Sequence, residues 1–229
     1  SGTSNVRIGE NAGDAIASGG NYNVVLGDEA GTAITTGDNN VAVGYNALAT
    51  NTTASTNTAV GYQAAYSNQT GVGITAFGAN ALYATTASDN CGIGTDNPGN
   101  YAAALESNTT GRFNTAVATG ALGSCTEGDN NTAVGHSAAG SVTTADACTA
   151  VGQNALATNS TSSYNTAVGH DALTSATGSY NTAIGPRNSG DNITSGSKNT
   201  IIGDFNGNQG SLDIRTSDNN IVLSDGDGN

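Results

Sequence analysis

A five-residue word, Asn-Thr-Ala-Val-Gly in its most regular form, recurs along the whole chain and limits its fold more than any other feature. With drift it occupies 5–9, 23–27, 40–44, 57–61, 74–78, 90–94, 114–118, 131–135, 148–152, 165–169, 181–185, 199–203 and 220–224. Successive fifth positions lie 18, 17, 17, 17, 16, 24, 17, 17, 17, 16, 18 and 21 residues apart. A period near 17 is too short for a helical-repeat unit or a propeller blade and suits one turn of a β-solenoid. The expected fold is all-β: a parallel β-solenoid of about 13 coils.

Each slot of the word has a physical reading. The fourth is bulky and apolar in every copy: Ile8, Leu26, Val43, Val60, Phe77, Ile93, Val117, Val134, Val151, Val168, Ile184, Ile202 and Leu223. These residues are expected to form the structural core. Residues two apart in a strand share a face, so the second slot should point inward with the fourth. The third slot, mostly Ala, should then face out, where Ala42, Ala59, Ala116, Ala133, Ala167 and Ala183 would let a partner sheet approach closely. Gly in the fifth slot permits a turn at positive φ. Asn in the first can form an amide ladder along in-register parallel strands. A weaker word follows the Gly, as in Ala47-Leu48, Ala64-Ala65, Ala81-Leu82, Ala121-Leu122, Ala155-Leu156 and Ala172-Leu173. It reads as a second short strand whose Leu faces the Val of the first, with turn residues between. So thin a core points to association of several chains.

Composition agrees with a thin core repeated many times. Leu, Ile, Val and Phe number only 36 of 229 residues, too few for a thick globular core. Charged residues make up only 10%, fewer than disordered chains carry. The net charge of −13 argues against nucleic acid and against docking on an anionic membrane, and reads as solubility. No apolar run approaches the ~20 residues that span a bilayer, so no direct membrane insertion is expected. The opening Ser1-Gly2-Thr3-Ser4 lacks signal-peptide character and enters the repeat at once, as an excised segment would. The organisation reads as a repeat domain over 1–210, then 211–229 as the last coil and the start of a connector to a C-terminal module.

The word followed by x-x-Ala-Leu resembles the head repeat of trimeric autotransporter adhesins. That resemblance implies a left-handed parallel β-roll and a homotrimer around one axis. The coil here is longer than the family's commonest one, and Thr often takes the second slot. Longer Asn- and Thr-rich repeats are similar to those of phage tail fibres and related bacterial surface fibres. The ending 212–224, Leu-Asp-Ile-Arg-Thr-Ser-Asp-Asn-Asn-Ile-Val-Leu-Ser, is similar to the stretch before the tip module of many phage fibres, which favours a phage-like origin. The implied location is extracellular, on a virion tail or a bacterial surface.

No constellation for catalysis emerges, and neither an enzyme nor a cofactor is expected. Glu10, Glu29, Glu106 and Glu127 are scattered, and His136 and His170 fall two coils apart, roughly 10 Å, too far to share a metal. Cys91, Cys125 and Cys148 are an odd count without CxxC spacing, which argues against a metal or disulfide framework, and Cys91 reads as a small inward hydrophobe. Asp225, Asp227 and Asn229 copy the opening of a Ca²⁺ loop without its closing Glu, so a turn is the better reading. Tyr45 and Tyr62 share a slot in adjacent coils, as do Tyr164 and Tyr180, and exposed ring stacks can hold a sugar or simply pack. Asn-x-Ser/Thr motifs such as those at Asn51, Asn68, Asn108, Asn159 and Asn192 read as accidents of composition. The 24-residue spacing places a surplus over 95–101, a loop expected to bulge while flanking coils stay in register. Its Asp96, Asn97, Asn100 and Tyr101 are candidate ligand or inter-chain contacts.

The expected function is a non-enzymatic trimeric fibre or adhesin segment that contributes to recognition of a cell-surface glycan or protein receptor. The alternative is a glycan-binding module using the coil flank or the 95–101 loop. An ice-binding solenoid ranks lower, because the second-slot Thr residues, Thr58, Thr115, Thr132, Thr149, Thr166, Thr182 and Thr200, are expected to point inward.

Overall fold

The computed structural model describes residues 3–16, 19–97 and 101–225. Every copy of the word becomes one short strand. In chain order these are β1 (Val6–Ile8), β2 (Val24–Leu26), β3 (Val41–Val43), β4 (Thr58–Val60), β5 (Thr75–Phe77), β6 (Cys91–Ile93) and β7 (Thr115–Val117). They continue as β8 (Thr132–Val134), β9 (Thr149–Val151), β10 (Thr166–His170), β11 (Thr182–Arg187), β12 (Thr200–Ile202) and, after a hairpin of β13 (Asn208–Gln209) and β14 (Leu212–Asp213), β15 (Ile221–Leu223). All but the hairpin strands join a single 13-stranded sheet, each strand beside its sequence neighbour in the word. Pairing is parallel and slot matches slot, as in Val41↔Thr58, Ala42↔Ala59 and Val43↔Val60. The chain is a parallel β-solenoid of about 13 turns.

The Ala-Leu segment is not a second strand. It runs through consecutive tight turns: Ala47 N–H donates to Gly44 O (3.2 Å), Ala49 N–H to Asn46 O (3.3 Å) and Asn51 N–H to Leu48 O (3.1 Å). Asn46 (φ 58°) and Leu48 (φ 50°) sit third in the first two turns, the position that type II geometry places at positive φ. The same handedness recurs at Leu82, Leu105, Leu122, Leu156 and Leu173. A left-handed conformation costs a non-Gly residue about 1–2 kcal/mol. Axial bonding offsets that cost, because amides in these turns still reach a carbonyl of an adjacent coil, as Leu48 N–H does to Ala64 O (3.0 Å).

The burial pattern reverses the expected faces. The third-slot residues Val25, Ala42, Ala59, Ala76, Ala116, Ala133, Ala150, Ala167, Ala183 and Ile201 are fully buried. The fourth slot, expected to be the structural core, faces out of the chain. Ile8, Leu26, Phe77, Ile93, Val134, Val151, Ile184, Ile202 and Leu223 are exposed, Phe77 by 56%. Val43, Val60, Val117 and Val168 are half-buried on the same face, and so is Cys91 in the second slot. The reason is width. Across the coil from the strand lie the fully buried Leu48, Leu82, Leu105, Leu122, Leu156 and Leu173, and little room remains. A Cβ on Gly92 would already stand 3.1 Å from Leu82 Cγ. Where the third slot is larger, the facing turn shrinks: a Cβ on Gly31 would meet Val25 at 2.7 Å, and one on Gly190 would meet Ile201 at 3.2 Å. Ala opposite Leu and Val or Ile opposite Gly are two ways of filling one narrow slot.

The first-slot asparagines are buried and make a ladder, though mainly through the backbone. Asn40 Oδ1 accepts Asn57 N–H (3.0 Å) from the next coil. Its Nδ2 donates to Ala54 O (2.9 Å) and to Asn23 Oδ1 (3.1 Å). The fifth-slot glycines stack so closely that a Cβ on Gly61, at φ 138°, would lie 2.5 Å from Gly78 O. Ala118 alone among the residues in this row with a positive φ is not Gly, and it is held at φ 107°. We predict that Ala118→Gly raises stability by about 1 kcal/mol, strain relief exceeding the entropy of the added Gly. Gly61→Ala should cost about 3 kcal/mol. Urea titration of the two variants reads both effects, and a destabilised Ala118→Gly would contradict this reading of the row.

Candidate functional site

At the 24-residue spacing a coil opens between strands that remain paired. β6 and β7 keep register across the 24-residue spacing, with Cys91↔Thr115 and Ile93↔Val117. Asp96 N–H bonds Ala79 O (3.2 Å) in the preceding coil, and its carboxylate accepts Asn80 Nδ2 (3.0 Å). Asn97 and Tyr101 then close a small antiparallel bridge (2.9 and 3.2 Å). The chain rejoins the solenoid at Ala102, whose carbonyl accepts Gly120 N–H (2.8 Å), while Glu106 Oε2 caps Ala103 N–H (2.6 Å). Asn100 lies outside the described residues. Tyr101 meets His136 edge-on, ring centroids 4.3 Å apart at 77°.

Beside this contact is a cleft of about 370 Å³, walled by Tyr101 and Ala102 and lined by Ser124, Ser137, Ser141 and Thr158. Its cause is an absence of side chains. The fifth position after the word's Gly carries Tyr66 and Tyr83 in earlier coils but Gly123 and Gly140 here. Sequence reasoning passed over this because the gap exists only where the inserted loop returns beside two glycines.

The expected ring pairs form, in separate places. Tyr45 stacks on Tyr62 (5.8 Å, 17°) and Tyr164 on Tyr180 (4.9 Å, 7°). A third pair, Tyr66 on Tyr83 (5.3 Å, 7°), went unread although the two occupy equal positions after their Gly. Tyr164 and Tyr180 stand just before the first-slot Asn with φ 63° and 62°, a conformation that Tyr22, Phe113, Asn130 and Lys198 share in their coils. The stacks therefore follow from coil geometry and are not brought into one site.

The outward face of the 13-stranded sheet runs through every coil. It presents the second and fourth slots of thirteen coils, and none of those positions carries a charge in a chain of net −13. Thr75 and Thr132 are exposed, and Thr58, Thr115, Thr149, Thr166, Thr182 and Thr200 are half-buried beside the apolar fourth slot. All of them were expected to point inward or shared that slot, and they point out.

Other candidates dissolve into structure. Asn51, Asn68, Asn108 and Asn159 are fully buried, so these glycosylation motifs are closed in the fold. Asn51, for example, clamps Ala54 through both its N–H (3.1 Å) and its carbonyl (3.1 Å). Among the described residues no cluster of His, Cys, Asp and Glu could hold a metal ion. Asp225 is described, while Asp227 and Asn229 lie outside the described residues. His170 Nδ1 contacts Asp171 Oδ2 (2.9 Å), far along the chain from the His136–Tyr101 contact. No described helix is long and apolar enough to cross a membrane. Compared with models of known families, with curated proteins and with solved structures, the chain matches none.

The three thiols are free. Burial pushes Cys125 up to about 11 from 9.0, and burial also raises Cys148 and Cys91. A thiol whose folded pKa is raised keeps its proton while the unfolded chain loses it. Stability is thus intact below pH 9 and falls as the pH climbs toward about 11. We predict that Cys125→Ala flattens this alkaline loss in melting temperature, while iodoacetamide at pH 7.5 leaves Cys125 and Cys148 unmodified in the folded protein. Rapid alkylation of both would contradict their burial.

Proposed function

We propose that this chain is a segment of a trimeric extracellular fibre or adhesin, a left-handed β-roll that acts as a stiff spacer and contributes to recognition of a cell surface. The reading rests on the resemblance of its word to adhesin head repeats and on one observation, the uncharged sheet face left without a partner in the single chain. That face runs the length of the solenoid, roughly 60 Å at ~4.8 Å per coil. A contiguous apolar strip of this length on a soluble protein marks an interaction surface. A second copy fits it best. Only a surface with the same repeat can match thirteen coils step for step, and the lack of charge lets strongly acidic chains approach. The trimer contact proposed from the sequence thus changes face: Val, Ile and Thr make it, and the alanines fill the coil.

A second reading gains from the same reversal. Outward Thr beside outward Val, repeated at strand spacing, is the arrangement an ice-binding face requires, and no such Thr hydroxyl bonds within the described chain. Against it, Val24 and Val41 interrupt the Thr row, and Phe77 protrudes from the flat face. Multi-angle light scattering at micromolar concentration separates the two. The expected mass is three times 22.3 kDa. A stable monomer that shows thermal hysteresis would overturn the fibre reading in favour of the second.

A further inference from the structure

We infer that the cleft beside Tyr101 is a binding site for a neutral saccharide, a step that deepens the recognition role proposed above and rests on it. Three observations carry this. First, the cleft is the product of a single non-periodic event: seven residues more than the usual period deliver Tyr101 to a place where Gly123 and Gly140 leave the turn face bare. Neither part belongs to the strand ladder, in which β6, β7 and β8 pair in register past them. Secondly, its chemistry suits a sugar. Tyr101 is 46% exposed and is steadied by its edge-on contact with His136, so an aromatic wall is offered at low entropic cost. Ser124 and Ser141 are exposed and present hydroxyls with no hydrogen bond among the described residues, ready to donate to or accept from ring hydroxyls. Thirdly, neither a cation nor a carboxylate lines the cleft, which selects a neutral ligand over a phosphate, a sulfate or an acidic sugar.

The geometry also supplies a plug. Ala157 lines the cleft and stands fifth after its Gly, the position that Tyr66 and Tyr83 hold in coils that fold normally. Ala157→Tyr should fill the cleft without disturbing the solenoid. Tyr101→Ala should remove the stacking wall, and Tyr101→Phe should keep it.

The test is saturation-transfer NMR and titration of the whole chain against glucose, galactose, N-acetylglucosamine and their β-linked disaccharides. Expected is binding of at least one, weakened about tenfold or more by Tyr101→Ala, within about twofold of the parent for Tyr101→Phe, and lost in Ala157→Tyr. Thermal melts within a few degrees of the parent show that the variants are folded. Saccharide binding that survives both Tyr101→Ala and Ala157→Tyr overturns the assignment, as does no binding to any probe. The assembly state, measured in the same samples, keeps the two claims apart. A trimer that binds no sugar removes the cleft and leaves the fibre reading, whereas a monomer that binds removes the fibre reading alone.

Discussion

The interior of each coil is one strand residue and one turn residue wide, and the rest of the structure follows from that narrowness. A third-slot Ala against a fully buried Leu fills the gap, as do Val25 against Gly31 and Ile201 beside Gly190. Burying a Leu contributes about 1.5–3 kcal/mol, so the turn row supplies much of the hydrophobic stabilisation while the strand row sets the spacing. Because bulky residues fit on the strand's inner side only where the facing turn carries Gly, they accumulate on its outer side. The outward apolar face is a consequence of a small core.

The same narrowness explains the backbone. A coil this tight has to reverse direction within a few residues, and it does so with left-handed residues that are not glycine, including Leu48, Leu122 and Tyr164. Such positions persist only where their surroundings hold them. Here the surroundings are similarly folded adjacent coils, whose carbonyls receive the amides that turn the corner. Asn40 and its equivalents add side-chain bonds to neighbouring coils from inside. Each coil is thus a template for the next, and the strand ladder keeps its register past the 95–101 insertion.

Much of this was legible in the sequence. The repeat fixed the coil number, the parallel sheet and the roles of Asn and Gly. Two things were misread for physical reasons. Alternation in a three-residue strand shows that Ala133 and Val134 lie on opposite faces, but not which face is inside, and the larger side chain is a poor guide when the interior is narrow. The clue was present in the pairing of Val25 with Gly31, where a larger strand residue meets a smaller turn residue. The Ala-Leu word was taken for a strand because nothing in Leu itself announces a left-handed conformation. The cleft was not legible at all. It is made by side chains that Gly123 and Gly140 lack, next to a loop whose return path only the fold determines.

The central claim is that the Ala row holds each coil together while the Val row faces a partner. Neighbouring residues on one strand separate these roles: Ala133 is fully buried and Val134 is 38% exposed in the chain. The most direct measurement records circular dichroism and mass by light scattering for Ala133→Asp and Val134→Asp side by side. The account predicts that Ala133→Asp, which buries an unpaired charge within the coil, abolishes the β signal. Val134→Asp should keep that signal while the mass falls toward that of one chain. A Val134→Asp protein that unfolds beside a folded Ala133→Asp protein would contradict it.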